Sequence, residues 1–167
     1  GATLDLPSSS SSSSSFGPAP KRSAFVELCC GPKSLIGREA VKKGLELLRV
    51  TRDSHDLTTD AGRTAVHHDV GSLVNSHRVH LWASLPCRPW SQLNELNERK
   101  LGKKFHKYLV GLRNESLVLL SVFIELAKVV INSGGSVSFE WPAYCVGWGI
   151  PGLQKFFDQN GFSQIIC

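Results

Sequence analysis

Three short stretches of the chain carry residues suited to chemistry. The first is Pro86-Cys87-Arg88-Pro89-Trp90-Ser91. Prolines on both sides of a cysteine stiffen the segment that presents it. A thiolate is a strong nucleophile, and neighbouring cations such as arginine favour the charged form. The alternative is a half-buried cysteine that only packs. The second stretch is Phe139-Glu140-Trp141-Pro142. A carboxylate that closes an apolar strand is costly to bury alone. Glu140 therefore either pairs with a cation on the rim or takes part in acid–base chemistry. The third runs Val26-Glu27-Leu28-Cys29-Cys30-Gly31-Pro32-Lys33-Ser34-Leu35-Ile36-Gly37. An acidic residue at a strand end, then a glycine turn into a helix, suits a nucleoside cofactor. The turn admits the ligand to the backbone, and the helix N-terminus offers free N–H groups. Only two glycines are present, so the stretch also reads as a plain strand-to-helix turn.

The elements around these stretches set where they meet. Short, apolar, β-prone runs predict strands over residues 24–29, 45–51, 79–84, 136–140 and 162–167. Helical spacing of apolar residues predicts helices from Ser34 to about Gly44, from Asp60 to about Asn75, over 103–132 and over 152–160. Ser34 and Asp60 are the expected N-caps. Residues 92–102 are polar and read as a partly mobile connector. Strands alternating with helices imply an α/β, Rossmann-like, mostly parallel sheet of about five strands, cut short at its C-terminus. Ligands of such sheets collect at the carboxyl ends of the strands. That rule places all three stretches on one rim.

Composition narrows the classes further. The chain has 167 residues and a formal net charge of +5. Arg99, Lys100, Lys103, Lys104, His106, Lys107 and Arg113 cluster in one stretch. Such a cluster is either a solvated helix surface or a phosphate-contacting patch. Five cysteines at irregular spacing, with no Cys-x-x-Cys pair, argue against a zinc site or a disulfide scaffold. Reduced thiols and an intracellular setting fit them best. The longest apolar stretch, 117–131, contains Glu125 and Lys128 and falls short of the roughly 20 residues of a membrane span. Residues 1–23 hold an unbroken serine run over 8–15 and are expected to form a disordered leader. They contain no apolar core of a signal peptide. Residues 24–167 then form a single domain, one that looks incomplete.

Taken together, the three stretches resemble cytosine-5 DNA methyltransferases. Glu27-Leu28-Cys29-Cys30-Gly31 is similar to the start of that family's cofactor turn, and Pro86-Cys87-Arg88-Pro89-Trp90-Ser91 to its nucleophile motif, Pro-Cys-Gln-Pro-Phe-Ser. Glu140-Trp141-Pro142 stands where the family has Glu-Asn-Val. A closer likeness is to methyltransferase-like segments of mobile-element polyproteins. Those carry an Asp-Leu-Thr stretch, here Asp56-Leu57-Thr58, ahead of a strand like Trp82-Ala83-Ser84-Leu85-Pro86-Cys87. The resemblance implies that Cys87 attacks C6 of a flipped-out cytosine and that Glu140 bonds to N3. It implies S-adenosylmethionine at Glu27, Cys30 and Gly31, with Asp53 or Asp56 near its ribose or adenine. Nucleic acid would then be held by Arg88, Lys100, Lys103, Lys104 and Lys107. The departures are Lys33 and Ser34 in place of two glycines, Arg88 in place of Gln, and Trp141-Pro142 in place of Asn-Val. The sequence given also ends before any target-recognition region. Two other classes stay open: a binding or accessory module that keeps the fold without the chemistry, and a different cysteine-dependent transferase.

Overall fold

The computed structural model describes residues 21–163. The chain begins with β1 (Arg22–Leu28), α1 (Leu35–Lys42) and β2 (Glu46–Val50), followed by α2 (Asp60–Ser76) and β3 (His77–Ala83). A single 3-10 turn, Arg88–Trp90, leads into α3 (Leu93–Asn132) and β4 (Ser136–Phe139). A second such turn, Val146–Gly149, precedes α4 (Pro151–Gln159). The four strands form an all-parallel sheet in the order β2-β1-β3-β4. The α/β, Rossmann-like architecture expected from the alternating pattern is therefore present, with four strands among the described residues. Of the expected fifth strand, Phe162 and Ser163 are not extended into a ladder, and 164–167 lie outside the described residues.

The leader needs a correction at its end. Arg22 and Ser23, assigned to it by composition, are the first two residues of β1, because they pair in register with His77 and Arg78 of β3. Lys21 also donates to the Val74 carbonyl at 2.8 Å. Residues 1–20 lie outside the described residues.

Side chains alternate across a strand, and β1 divides the molecule accordingly. Ala24, Val26 and Leu28 face a core shared with Val66 and Val70 of α2 and with Phe123 and Leu126 of α3. Phe25 and Glu27 point to the other face, where α1 lies. The connection from β1 moves outward to β2, and the next returns across β1 to β3. The carboxyl ends of β1 and β3 therefore flank the point where the chain changes direction, the usual position of a ligand crevice in an open α/β sheet.

Two helix boundaries differ from expectation. Residues 93–102 are helical, because Leu, Glu, Arg and Lys are good helix formers that a polar reading undervalues. Gly102, at φ +65° and ψ −156°, then breaks α3 into two arms. His106 on the second arm meets Glu98 on the first at 2.5 Å, which fixes the bend. At α2 the cap is Thr59 rather than Asp60, and its hydroxyl accepts the Gly62 N–H at 3.1 Å. Asp60 instead sits in the first turn, where its charge suits the positive end of the helix dipole.

Gly62 also brings α2 against the Asp56-Leu57-Thr58 loop. A Cβ at residue 62 would lie 2.1 Å from the Asp56 carbonyl oxygen. Gly62→Ala is therefore expected to destabilise the fold by about 1–3 kcal/mol through overpacking, although alanine is the better helix former. A denaturant midpoint at or above the wild-type value would contradict this close approach.

Candidate functional site at the carboxyl rim

β3 and β4 are neighbours, so their carboxyl ends bring Ser84 and Glu140 together. The Glu140 N–H extends the ladder to Ala83 O at 2.9 Å. Its exposed carboxylate accepts the Ser84 hydroxyl at 3.0 Å, and Ser84 Oγ accepts the Trp82 indole N–H at 3.0 Å. On the other side, Ser84 N–H donates to Leu28 O at 3.3 Å. Cys87 follows three residues later, so its Cα lies within about 11 Å of that of Ser84.

The loop that carries Cys87 is held from several directions. The buried Trp141 donates its indole N–H to Leu85 O at 2.8 Å. Asn94, itself buried, donates to Arg88 O at 2.8 Å and to Pro89 O at 3.0 Å. Arg113 donates to Pro89 O at 3.3 Å and lies 5.5 Å over the Trp90 ring. Trp90 in turn donates to the buried Ser116 at 2.7 Å. Both arms of α3 thus grip the loop. Trp141, where the resembling family has Asn, is a structural residue here, and Gly147 lets its ring close against the second 3-10 turn: a Cβ there would meet that ring at 2.4 Å. Cys145, the buried residue that caps this turn, precedes Val146. Burial pushes the Cys145 thiol up, and Cys87 adds to the effect.

The β1 turn lies next to this loop. Cys29 takes φ +58°, the only positive value outside glycine among the described residues, a conformation that costs roughly 1–2 kcal/mol. Burial raises its thiol to about 12, and Cys30 is raised to about 11 by burial and then by the charge of Glu27. Cys30 Sγ lies 3.5 Å from Glu27 O. Gly31 is exposed, and nothing lies within 4 Å of where its Cβ would be.

Glu27 is positioned differently from a free ligand group. It is 3% exposed, and its Oε1 accepts the Ser34 hydroxyl. Its Oε2 is 3.8 Å from Nε of Arg49, its register partner on β2, and Arg49 also donates to Ser34 O at 3.4 Å. Gly37 allows α1 to lie on this pair, since a Cβ there would be 2.5 Å from Glu27 Oε2. Ser34, expected to cap α1, stands at the N-cap but spends its hydroxyl on Glu27. Glu27 Oε2 and Arg49 Nε are buried without a hydrogen-bond partner. The carboxylate that the resemblance assigns to S-adenosylmethionine thus fastens α1 to the sheet.

The remaining candidates spread outward. Asp53 is exposed and Asp56 partly so, both in the loop after β2, on the far side of β1 from Cys87. The Thr58 hydroxyl and N–H bond to the Asp56 carboxylate, at 2.6 and 3.0 Å, and hold it below its usual range. Arg88, Lys100, Lys103, Lys104 and Lys107 are all exposed, the lysines on either side of the bend in α3. Asn94 and Ser116 act on the site without having stood out in the sequence, and Ser84, Arg113 and Trp141, named there for other reasons, act on it through contacts that were not foreseen. Serine, asparagine and arginine far from a motif carry no local signal of such contacts. Among the described residues no His, Cys, Asp or Glu cluster is arranged to hold a metal ion, and no helix is long and apolar enough to cross a membrane.

Alkylation distinguishes the thiols. Near neutral pH, peptide mapping after brief iodoacetamide treatment should find Cys87 modified ahead of Cys29, Cys30 and Cys145. The rates at Cys30 and Cys29 should go on rising about tenfold per pH unit until near their raised values of about 11 and about 12. Faster reaction at Cys29 or Cys30 than at Cys87 would contradict this ordering. Set against known protein families, curated proteins and solved structures, the chain matches none of them.

Proposed function

We propose that this chain is a methyltransferase-like domain that acts on nucleic acid, with Cys87 as nucleophile toward cytosine and Glu140 as the acid beside it. The observation that carries the reading is the Glu140–Ser84 hydrogen bond, which ties the carboxylate to the strand that runs into the clamped cysteine loop. In the step proposed, the Cys87 thiolate adds to C6 of an unpaired cytosine while Glu140 delivers a proton to N3. The 5,6 π pair shifts to C4–C5, the C4=N3 π pair takes the proton at N3, and the product is a covalent adduct with a new C6–S bond. Arg88 and the lysines of α3 supply the charge that holds a phosphate backbone. The likeness to methyltransferase-like segments of mobile-element polyproteins agrees with this reading.

A second reading is favoured by one specific observation. Glu27 is engaged with Ser34 and Arg49, which supports a nucleic-acid-binding module that keeps the fold without cofactor-dependent turnover. Binding of labelled S-adenosylmethionine separates the two. Saturable binding favours the methyltransferase, whereas none at millimolar cofactor in a folded sample favours the module.

The nucleophile is tested by trapping. An oligonucleotide carrying 5-azacytosine should form an adduct with the wild-type protein that survives denaturation. Cys87→Ser should abolish the adduct and leave the melting temperature within a degree or two, since a half-buried loop thiol carries little of the core. No adduct with wild type, or an adduct that persists in Cys87→Ser, would remove Cys87 from the chemistry.

A further inference from the structure

We propose that the rim takes single-stranded nucleic acid and stacks an unpaired base on Tyr108 as the strand passes from the lysines of α3 toward Cys87. The inference rests on the nucleic-acid reading above and specifies its substrate.

Tyr108 is 47% exposed, on a helix that buries Leu109, Val122 and Phe123 and also leaves Leu96, Leu101 and Val110 at its surface. Its ring lies 6.1 Å from that of Phe105. The Arg88 guanidinium sits over it at 6.0 Å. The two rings are tilted by 49°, and with the guanidinium they form an aromatic-cation cluster near the loop that presents Cys87. The Arg88 carbonyl is fixed by Asn94, so the backbone of this residue is anchored while its side chain stays exposed.

The surrounding charge is mostly positive, and Glu98, the acid nearest these lysines whose side chain is described, is engaged with His106. Lys103 and Lys107 stand four residues apart on one helix face, as do Lys104 and Tyr108. Like charges at that spacing weaken a helix unless an external anion offsets them. Among the described residues, neither Arg88 nor Lys100, Lys103, Lys104 or Lys107 is ion-paired. A polyanion is the partner that this row of cations fits.

The exposed Tyr108 ring decides between forms of that polyanion. In a duplex the base faces are hidden between neighbours, and only phosphates, sugars and base edges reach a cationic helix. An unpaired base offers a π-face that a tyrosine ring or a guanidinium plane can cover, with little dependence on base identity. The thiol chemistry proposed at Cys87 also requires an unpaired base, and a strand that arrives single does not have to be unstacked first.

Fluorescence anisotropy of the full chain with a labelled oligonucleotide, alone or annealed to its complement, tests the proposal. The single strand should bind about tenfold more tightly than the duplex, and Tyr108→Ala should weaken single-strand binding by about tenfold with duplex binding unchanged. Tyr108→Phe should retain the affinity, since the ring and not the hydroxyl does the stacking. Lys103→Glu with Lys104→Glu should weaken both forms and flatten the salt dependence. Equal affinity for the two forms, or an unchanged Tyr108→Ala, would overturn the stacking inference and leave the nucleic-acid reading standing. Binding to neither form would overturn both, as would binding only to vesicles of phosphatidylserine.

Discussion

Ser84 is bonded to both strands that flank β3. Its N–H reaches Leu28 O on β1, and its hydroxyl reaches the Glu140 carboxylate beyond β4. The residue stands where the parallel ladder ends and the irregular rim begins. Because β1 and β4 are fixed to it, the turn at Cys29, the loop at Cys87 and the carboxylate at Glu140 have defined relative positions. Trp82 completes the chain by donating its indole N–H to the same hydroxyl. The pair Ser84–Glu140 is exposed, so its strength in water is modest, on the order of 1 kcal/mol. Its role is orientation: it turns a carboxylate that could point into solvent back over the end of β3.

The rest of the rim divides rigidity between two devices. On the cysteine side, α3 holds the loop through Asn94, Arg113 and Ser116, while Trp141 holds it from β4. Most of the backbone carbonyls from Leu85 to Pro89 thereby have donors, which lets an irregular loop stand at the edge of an apolar core. On the cofactor-like side, the Glu27–Arg49 pair with Ser34 holds α1 on the sheet. Removing one member of a buried pair typically costs about 3–5 kcal/mol, because the other charge is left alone. Ser34, one of the two positions where the resembling family has glycine, is a member of this fastening through its hydroxyl.

Much of the architecture was legible from residue patterns. Residues 24–29 and 79–84 announce themselves by apolar β-branched and aromatic content, and the observed β1 and β3 differ from them only at the ends. Glu140 and Cys87 stood at strand ends because an apolar run stopped beside each. The burial of Glu27 was not legible, since it depends on Arg49 arriving in register from β2 and on Gly37 admitting α1. Those are long-range facts that local composition does not encode. The helix at 93–102 was hidden by its polarity. The roles of Trp141 and Ser116 appear only once β4 and α3 lie beside the cysteine loop.

The proposed chemistry needs Cys87 and Glu140 to work on one base. The most direct measurement compares adduct formation on a cytosine analogue with plain alkylation of Cys87, in wild type and in Glu140→Gln. With the acid lost and the thiol untouched, adduct formation should slow by about a hundredfold or more while the iodoacetamide rate stays the same. An unchanged adduct rate in Glu140→Gln, or the same loss in both reactions, would contradict a shared site.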